Sequence, residues 1–354
     1  MEVSTPTLTA DIEKHRNQIF RFIYGNWISQ VTYVFAELGL ADAFVNGPQN
    51  LEQLAKYGGV KASILKRVLR GTFELNLLTF DKETQRYHLT EMGSMLSSNH
   101  PFTMRAEARL NGADYRYHPW GNLLNILRNG LKEEYSPTLK HGSLDYLKDK
   151  PELLDTFHET LHQKSKIENK AIVEDYDFSQ FRKVMDIGCG RGTFLMSILD
   201  HNPNLEGFLF DLEDTLDFEI PEKYHGRLLK SPGDFFNNIP GVADAYTMKN
   251  VIHNWPEDKV IKMLQSVCNA MKSTDKIDTD LSKKRLLIVE NLLADNDDHK
   301  LATWMDINFM VLIGGSEFTL EEYRSIGRQA GLELSEVIQT SSGRHVLAFA
   351  LAEL

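Results

Sequence analysis

The segment VMDIGCGRGTFLMSIL, residues 184–199, sets a short apolar run, three alternating glycines and an apolar helical pattern in direct succession. No other stretch limits the fold so tightly. Gly188, Gly190 and Gly192 let the backbone turn sharply and approach a ligand where a side chain would collide. The helix that begins near Phe194 presents free N–H groups and the positive end of its dipole. A strand, glycine turn and helix in this order belong at the carboxyl edge of an open α/β sheet, where such sheets bind ligands.

The rest of the C-terminal half agrees. From about Phe181, apolar runs (KVMDIG, GFLFDL, ADAYTM, RLLIVE, HVLAFA) alternate with helical segments, as in a sheet of mostly parallel strands. The polar stretch STDKIDTDLSKK, residues 273–284, reads as a solvated loop ahead of RLLIVE. At 354 residues the chain is too long for one core, so more than one domain is expected.

The first hundred residues have a different pattern. Ile19 to Leu38 is an apolar, partly aromatic segment ending at Gly39. Leu51, Leu54 and Ala55 mark a second short helix, stopped by Gly58-Gly59, and Ile64, Leu65, Val68 and Leu69 mark a third. LNLLTF, the turn DKETQ and RYHLT then read as a hairpin followed by one more helical turn. This is the winged-helix order, which often serves DNA binding. Residues 1–100 contain ten Lys and Arg against ten Asp and Glu, however, and a DNA reader is expected to show a basic face. The stretch PELLDTFHETLHQKSKIENKAIVEDY reads as one long amphipathic helix bridging two domains. The expected boundaries are 1–105 for the helical N-terminal domain, 106–180 for a helical linker with pocket residues, and 181–354 for the sheet domain.

Charge and cysteine usage narrow the partners. A formal charge of −11 repels phosphate backbones and anionic lipid, so neither nucleic acid nor membrane is expected. The two cysteines, Cys189 and Cys268, are in no metal-ligand spacing, so no metal or disulfide framework is expected. With neither an N-terminal signal-like stretch nor a spanning run, the reading is a soluble, cytoplasmic protein.

The spacing G-x-G-x-G, with Asp186 two residues ahead, differs from the G-x-G-x-x-G of dinucleotide folds. It suits S-adenosylmethionine, which has no pyrophosphate to cradle. Asp211 ends the next apolar run about twenty residues on, where a carboxylate can bind ribose hydroxyls; an acid there also occurs in NAD folds. Asp234, followed by Phe235 and Phe236, offers a carboxylate to the adenine amino group and a ring beside it, although such a pair is often core. His253 follows the run ADAYTM and falls at the same sheet edge as the glycine turn. A neutral imidazole, with an ordinary pKa of about 6.5, can accept the proton of a hydroxyl acceptor that is still protonated at neutral pH. Glu290, at the end of RLLIVE, and Glu317, after Gly314-Gly315, are candidates to hold the far ring nitrogen. A structural histidine and two surface acids are the plainer alternative.

These residues together resemble the small-molecule O-methyltransferases of the caffeic-acid, isoflavone and polyketide-tailoring type. ELGLADAF, LEQLAKYGGV, ILKRVLRGTFELNLL, YHLTEMG and LKHGSLDYL resemble the family's N-terminal dimerisation module. DIGCGRG, FDL, GDFF, KNVIHNW, LLIVEN and GGSEFTLEEYRSIGRQAGL follow in the family's order. The resemblance implies a Rossmann-like seven-stranded α/β sheet with a winged-helix dimerisation domain, a homodimer, and a small-molecule acceptor. S-adenosyl-L-methionine is the implied donor and S-adenosyl-L-homocysteine the product. Asp186, Gly188, Gly190, Asp211, Asp234, Phe235 and Lys249 are implied at the cofactor, with His253 as the base flanked by Glu290 and Glu317. Phe157, Leu161, His162, Trp255, Asp306 and Met310 are implied at the acceptor pocket. Asn254 stands where the family usually has Asp, and Leu161 and His162 depart from its Phe-then-Met pattern, so acceptor shape is not inherited. Oxygen on an aromatic or polyketide-like secondary metabolite is the expected acceptor. Nitrogen or carbon methylation is the alternative, and a DNA-binding or interaction protein with a vestigial cofactor domain a distant one.

Overall fold

The chain forms two compact units. One contains residues 1–118 and 147–163, and the other residues 119–146 and 164–354. A computed structural model describes residues 9–273, 280–294 and 301–352. Residues 274–279 of the expected polar loop lie outside the described residues, and Leu281–Lys283 make a single 3-10 turn before the next strand.

In the first unit the helix Ala10–Ile23 starts at Thr9, whose hydroxyl accepts the Ile12 N–H. The apolar segment read as continuous from Ile19 is divided: a second helix, Gly25–Glu37, starts after a break at Tyr24. Gly25, with no Cβ and a high conformational entropy, gives the chain an easy place to interrupt the helix. Asn50 and Gln53 form a reciprocal capping box at the start of Leu51–Tyr57. The helix Ala62–Glu74 follows and buries Leu65 and Leu69, whereas Ile64 points outward. Strands β1 (Leu78–Asp81) and β2 (Arg86–Leu89) pair antiparallel as the expected hairpin, and Glu91–Ser94 supplies the final turn. Phe35, Leu40, Leu54, Leu69 and Leu78 form the core of this unit.

The second unit is built on β3 (Lys183–Ile187), β4 (Glu206–Asp211), β5 (Leu228–Pro232), β6 (Ala245–Lys249), β7 (Arg285–Glu290), β8 (Leu292–Leu293), β9 (Phe318–Thr319), β10 (Leu332–Gln339) and β11 (His345–Leu351). Seven of these form one sheet in the order β10-β11-β7-β6-β3-β4-β5. Strands β7, β6, β3, β4 and β5 run parallel, and β11 is antiparallel to both neighbours. Strands β8 and β9 pair separately, Leu292 opposite Phe318. The seven-stranded α/β expectation therefore describes the sheet. Helices Thr193–His201 and Glu257–Lys272 cover it, and the two faces carry separate apolar clusters, around Leu195 and Ile198 and around Met263 and Val267.

The units divide the chain differently from the boundaries at 105 and 180. Residues 119–146 join the sheet unit because Trp120 Nε1 donates to Asn308 Oδ1 at 3.2 Å and the hydroxyls of Ser136 and Thr138 donate to the Leu312 carbonyl. The long helix is present as Pro151–Asp175, and from Lys164 onward it belongs to the sheet unit. Among the described residues no helix is long and apolar enough to cross a membrane.

Candidate active site

The chain runs β3, β4, β5 to one side and then returns to place β6 on the other side of β3. The carboxyl ends of β3 and β6 therefore flank the switch point, where an open α/β sheet leaves a crevice. Gly188 leaves β3 and His253 follows β6, so the sheet brings the glycine turn and the candidate base to one edge. Their segments touch. A Cβ on Gly188, whose φ is +69°, would lie 2.7 Å from Val251 Cγ2, two residues before His253. Only glycine permits both that φ and that approach.

The turn is tied to β4. Gly188 N–H donates to the Phe210 carbonyl at 2.8 Å, and Gly190 N–H donates to Asp211 Oδ2 at 2.9 Å. Asp211 Oδ1 accepts the Leu212 N–H at 2.8 Å. A carboxylate has about four acceptor sites, so two remain for a ligand's hydroxyls. A Cβ on Gly190 would meet nothing within 4 Å, which leaves an open cradle beside Asp211. Asp186 is buried below the turn and accepts the Thr247 hydroxyl at 2.7 Å. Burial raises its pKa to about 7, against the pull of the Thr247 hydrogen bond and the Lys249 charge.

Asp234 caps its own turn, accepting the Phe236 N–H at 2.9 Å and the Asn237 side-chain amide at 3.0 Å. Phe235 and Phe236 pack edge-on against Trp255, with ring centroids 5.9 and 4.8 Å away. Trp255, expected at the acceptor, thus lies against the residues expected at the adenine. Lys249 also has a partner the sequence did not reveal. Its ammonium lies 2.8 Å from Glu168 Oε2, and this carboxylate also receives Arg344 through Nε at 3.1 Å and Nη2 at 2.9 Å. Burial pushes the Glu168 pKa upward, but the two cations outweigh it and hold it at about 2.

His253 sits in a short 3-10 turn, Ile252–Asn254, and is 7% exposed. Its Nδ1 lies 2.7 Å from Glu290 Oε2, while Glu290 Oε1 accepts the Ile252 N–H at 3.0 Å. One carboxylate therefore fixes both the ring and the backbone that carries it. Opposite an ionised carboxylate Nδ1 bears the hydrogen, which leaves Nε2 as the basic nitrogen. Phe309 stacks on the imidazole, centroids 4.2 Å apart and planes 6° from parallel.

Glu317 completes the group. One donor atom each from His253, Glu290 and Glu317 lie within 4.8 Å of one another, all three residues buried. Asn291 donates to Glu317 Oε1 at 2.9 Å, and Glu317 N–H donates to Asp306 Oδ1 at 2.9 Å. Burial, with the Glu290 charge added, raises the Glu317 pKa to about 7; the His253 charge, Asn291 and Arg344 pull the other way. The glycine turn at 314–315 braces the site. Ser316 N–H donates to the His253 carbonyl at 3.1 Å, and a Cβ on Gly315 would lie 2.0 Å from that same oxygen.

Of the residues expected at the acceptor, Asp306 is used to hold Glu317, and Met310 packs with Ile126, Val311 and Leu312. Phe157, Leu161 and His162 belong to the other unit, where Phe157 lies 6.0 Å under the Arg116 guanidinium and Leu161 and His162 are exposed. Sequence reasoning missed Phe309, Asn291, Gly315 and Glu168. Phe309 is three residues from Asp306 on one helical face, a spacing that was available; Glu168 left no signal within a helix of alternating charges.

The chain matches the O-methyltransferase domain family over residues 120–333 and the O-methyltransferase dimerisation domain over residues 20–99. It is 31% identical to a phenazine O-methyltransferase of Lysobacter antibioticus, with 93% of this chain and 94% of that protein covered. A solved mitomycin 7-O-methyltransferase is 25% identical, with 98% and 100% coverage and a TM-score of 0.85. A methyltransferase of calicheamicin biosynthesis, solved with S-adenosylhomocysteine, shares the fold at 24% identity, 98% and 100% coverage, and a TM-score of 0.81. The residues present fit an adenosyl cofactor, since an added Cβ at Gly190 would meet nothing within 4 Å and Asp211 accepts only two N–H bonds there, which leaves acceptor capacity.

Proposed function

This chain belongs to the S-adenosylmethionine-dependent O-methyltransferase family, and on that premise we propose that His253 is the general base for methylation of a hydroxyl on a small aromatic acceptor. The His253–Glu290 pair on the segment that touches the glycine turn carries this reading. When bound, S-adenosylmethionine supplies an electrophilic methyl group and a good leaving group. The chain then has two tasks: to orient the acceptor and to remove its proton. His253 Nε2 takes that proton, and Glu290 stabilises the imidazolium that forms. Asp211 holds the ribose hydroxyls, Gly188 and Gly190 admit the cofactor against the backbone, and Phe235 with Trp255 forms an aromatic wall beside Asp234. Glu317 lies beside His253 and Glu290, with one donor atom from each of the three within 4.8 Å of the others.

The aromatic acceptor is supported by the phenazine relative. A homodimer formed through the N-terminal unit is supported by the dimerisation-domain match and by the helix Ala10–Ile23, which buries none of its residues. Ile19, Phe22, Ile23 and Trp27 are each more than half exposed there, an apolar surface for a second copy to cover. Within the three segments expected from the sequence, this assigns pairing to 1–105 and the donor chemistry to 181–354. A cytoplasmic location agrees with a chain whose described helices do not cross a membrane.

The experiment is transfer from methyl-labelled S-adenosylmethionine to a panel of phenols, with wild type and His253→Gln. Label on phenolic oxygen, a rate lowered by orders of magnitude in the variant and an unchanged affinity for S-adenosylhomocysteine support the assignment. Equal rates in the two proteins remove His253 from the chemistry.

A further inference from the structure

We propose that Glu168 is a positioning residue that sets the charge of the crevice, neutralising Lys249 so that a cationic sulfonium is accepted there as readily as a neutral thioether. The proposal rests on the cofactor reading above. In the β3–β6 ladder Asp186, two residues before Gly188, pairs with Thr247, two residues before Lys249. Thr247 and Lys249, two residues apart on a strand, share one face of the sheet, and the Thr247 hydroxyl already reaches Asp186 on it. The Lys249 charge also pulls the Asp186 pKa down, so the ammonium acts on the buried acid two residues before Gly188.

That ammonium has little water to screen it. Its side chain is 6% exposed, and those of Glu168 and Arg344 are 15% and 13% exposed. Glu168 Oε2 lies 2.8 Å from it. Arg344 shares Glu168 but also lies in the fields of Glu290 and Glu317. Asp186, the other acid near Lys249, has a pKa of about 7 and is ionised only part of the time at neutral pH. Glu168, held at about 2, is the negative charge that is always present. Without it, a cation would face the site of a sulfonium, and the repulsion would act on S-adenosylmethionine and not on its uncharged sulfur product. A unit charge acting over about 10 Å at an effective dielectric of about 20 changes an equilibrium roughly ten-fold.

The test is titration calorimetry with S-adenosylmethionine and S-adenosylhomocysteine on four full-length proteins: wild type, Glu168→Gln, Lys249→Met and the double variant. Glu168→Gln is expected to weaken S-adenosylmethionine roughly ten-fold more than S-adenosylhomocysteine. Lys249→Met alone is expected to move the ratio of affinities the other way, and the double variant to return it near the wild-type value. If Glu168→Gln fails to fold, the sign of the Lys249→Met shift decides. An unchanged ratio in both single variants, with both nucleosides still bound, overturns the proposal and makes the ion pair a structural anchor. Failure of wild type to bind either nucleoside overturns the cofactor reading itself, which is a distinct result.

Discussion

Replacing Gly315 with alanine places a methyl group where the backbone of His253 already lies. The added Cβ would be 2.0 Å from the His253 carbonyl oxygen, 3.1 Å from its carbon and 3.2 Å from the carbonyl carbon of Asn254. Carbon and oxygen settle into contact at about 3.3 Å, so the two backbones must separate by roughly 1 Å. Both neighbours are main chain, and no flexible side chain can yield in their place. The Ser316 N–H bond to the same carbonyl, 3.1 Å, would stretch with the separation. A 1 Å misplacement of a reacting group costs up to about 100-fold in rate. We therefore expect kcat/KM on a phenolic acceptor to fall on the order of 100-fold, with a stability loss of about 1–3 kcal/mol from overpacking. Affinity for S-adenosylhomocysteine, measured by calorimetry, should stay within about three-fold, because the glycine turn at 188–192 is braced by β4. Gly121→Ala, where a Cβ meets nothing within 4 Å, serves as the control and should be nearly silent. A folded Gly315→Ala protein with wild-type kcat/KM would refute the argument that this turn sets the position of His253.

Three further outcomes follow from the same geometry. Glu290→Gln preserves an acceptor for the Ile252 N–H but removes the charge opposite Nδ1, and kcat/KM should fall on the order of 10²- to 10⁴-fold. Asp211→Ala removes the acceptor of the Gly190 N–H and of the ribose, so calorimetry should show S-adenosylhomocysteine binding roughly 10–100-fold more weakly. Glu317 has a pKa of about 7 in the folded protein against 4.5 in an unfolded chain, so between these values the native state binds more protons and stability falls as pH rises. Glu317→Gln abolishes that titration. Its unfolding free energy relative to wild type, from denaturant titration, should rise from pH 5 to pH 8 by an amount on the order of 1–3 kcal/mol. A difference independent of pH would remove the buried-acid explanation.

The legible parts of the chain were those with local chemistry. The β3–glycine turn–helix segment, the helices Leu51–Tyr57 and Ala62–Glu74 and the hairpin at 78–89 are each specified by residues adjacent in sequence, and the structure has them. Five of the seven sheet strands were evident as apolar runs because they are buried on both faces. Strand β5, LLKSP, lies at the sheet edge and is largely exposed, and β10, LELSEVIQ, carries two glutamates on its open face; neither has the uninterrupted apolar run of a central strand. At the site, Glu290 stood out as an acid at the end of an apolar strand, His253 as a histidine following one, and Glu317 by its place after the Gly314-Gly315 turn. Their partners depended on tertiary contacts. Glu168 is one charged residue among many on its helix until Lys249 and Arg344 close on it, and Phe309 is one apolar residue among several on its helix until the imidazole lies flat against it.

The proposed chemistry turns on the proton that His253 removes. The direct measurement is kcat/KM for a phenolic acceptor as a function of pH, in wild type and in His253→Ala. A missing general base matters while the phenol is protonated and ceases to matter once it ionises unaided, near pH 10. The variant should therefore be slower by on the order of 10²- to 10⁴-fold at pH 7, and the gap should close as the pH approaches 10. A gap that stays constant across that range, or no gap at pH 7, would contradict the assignment.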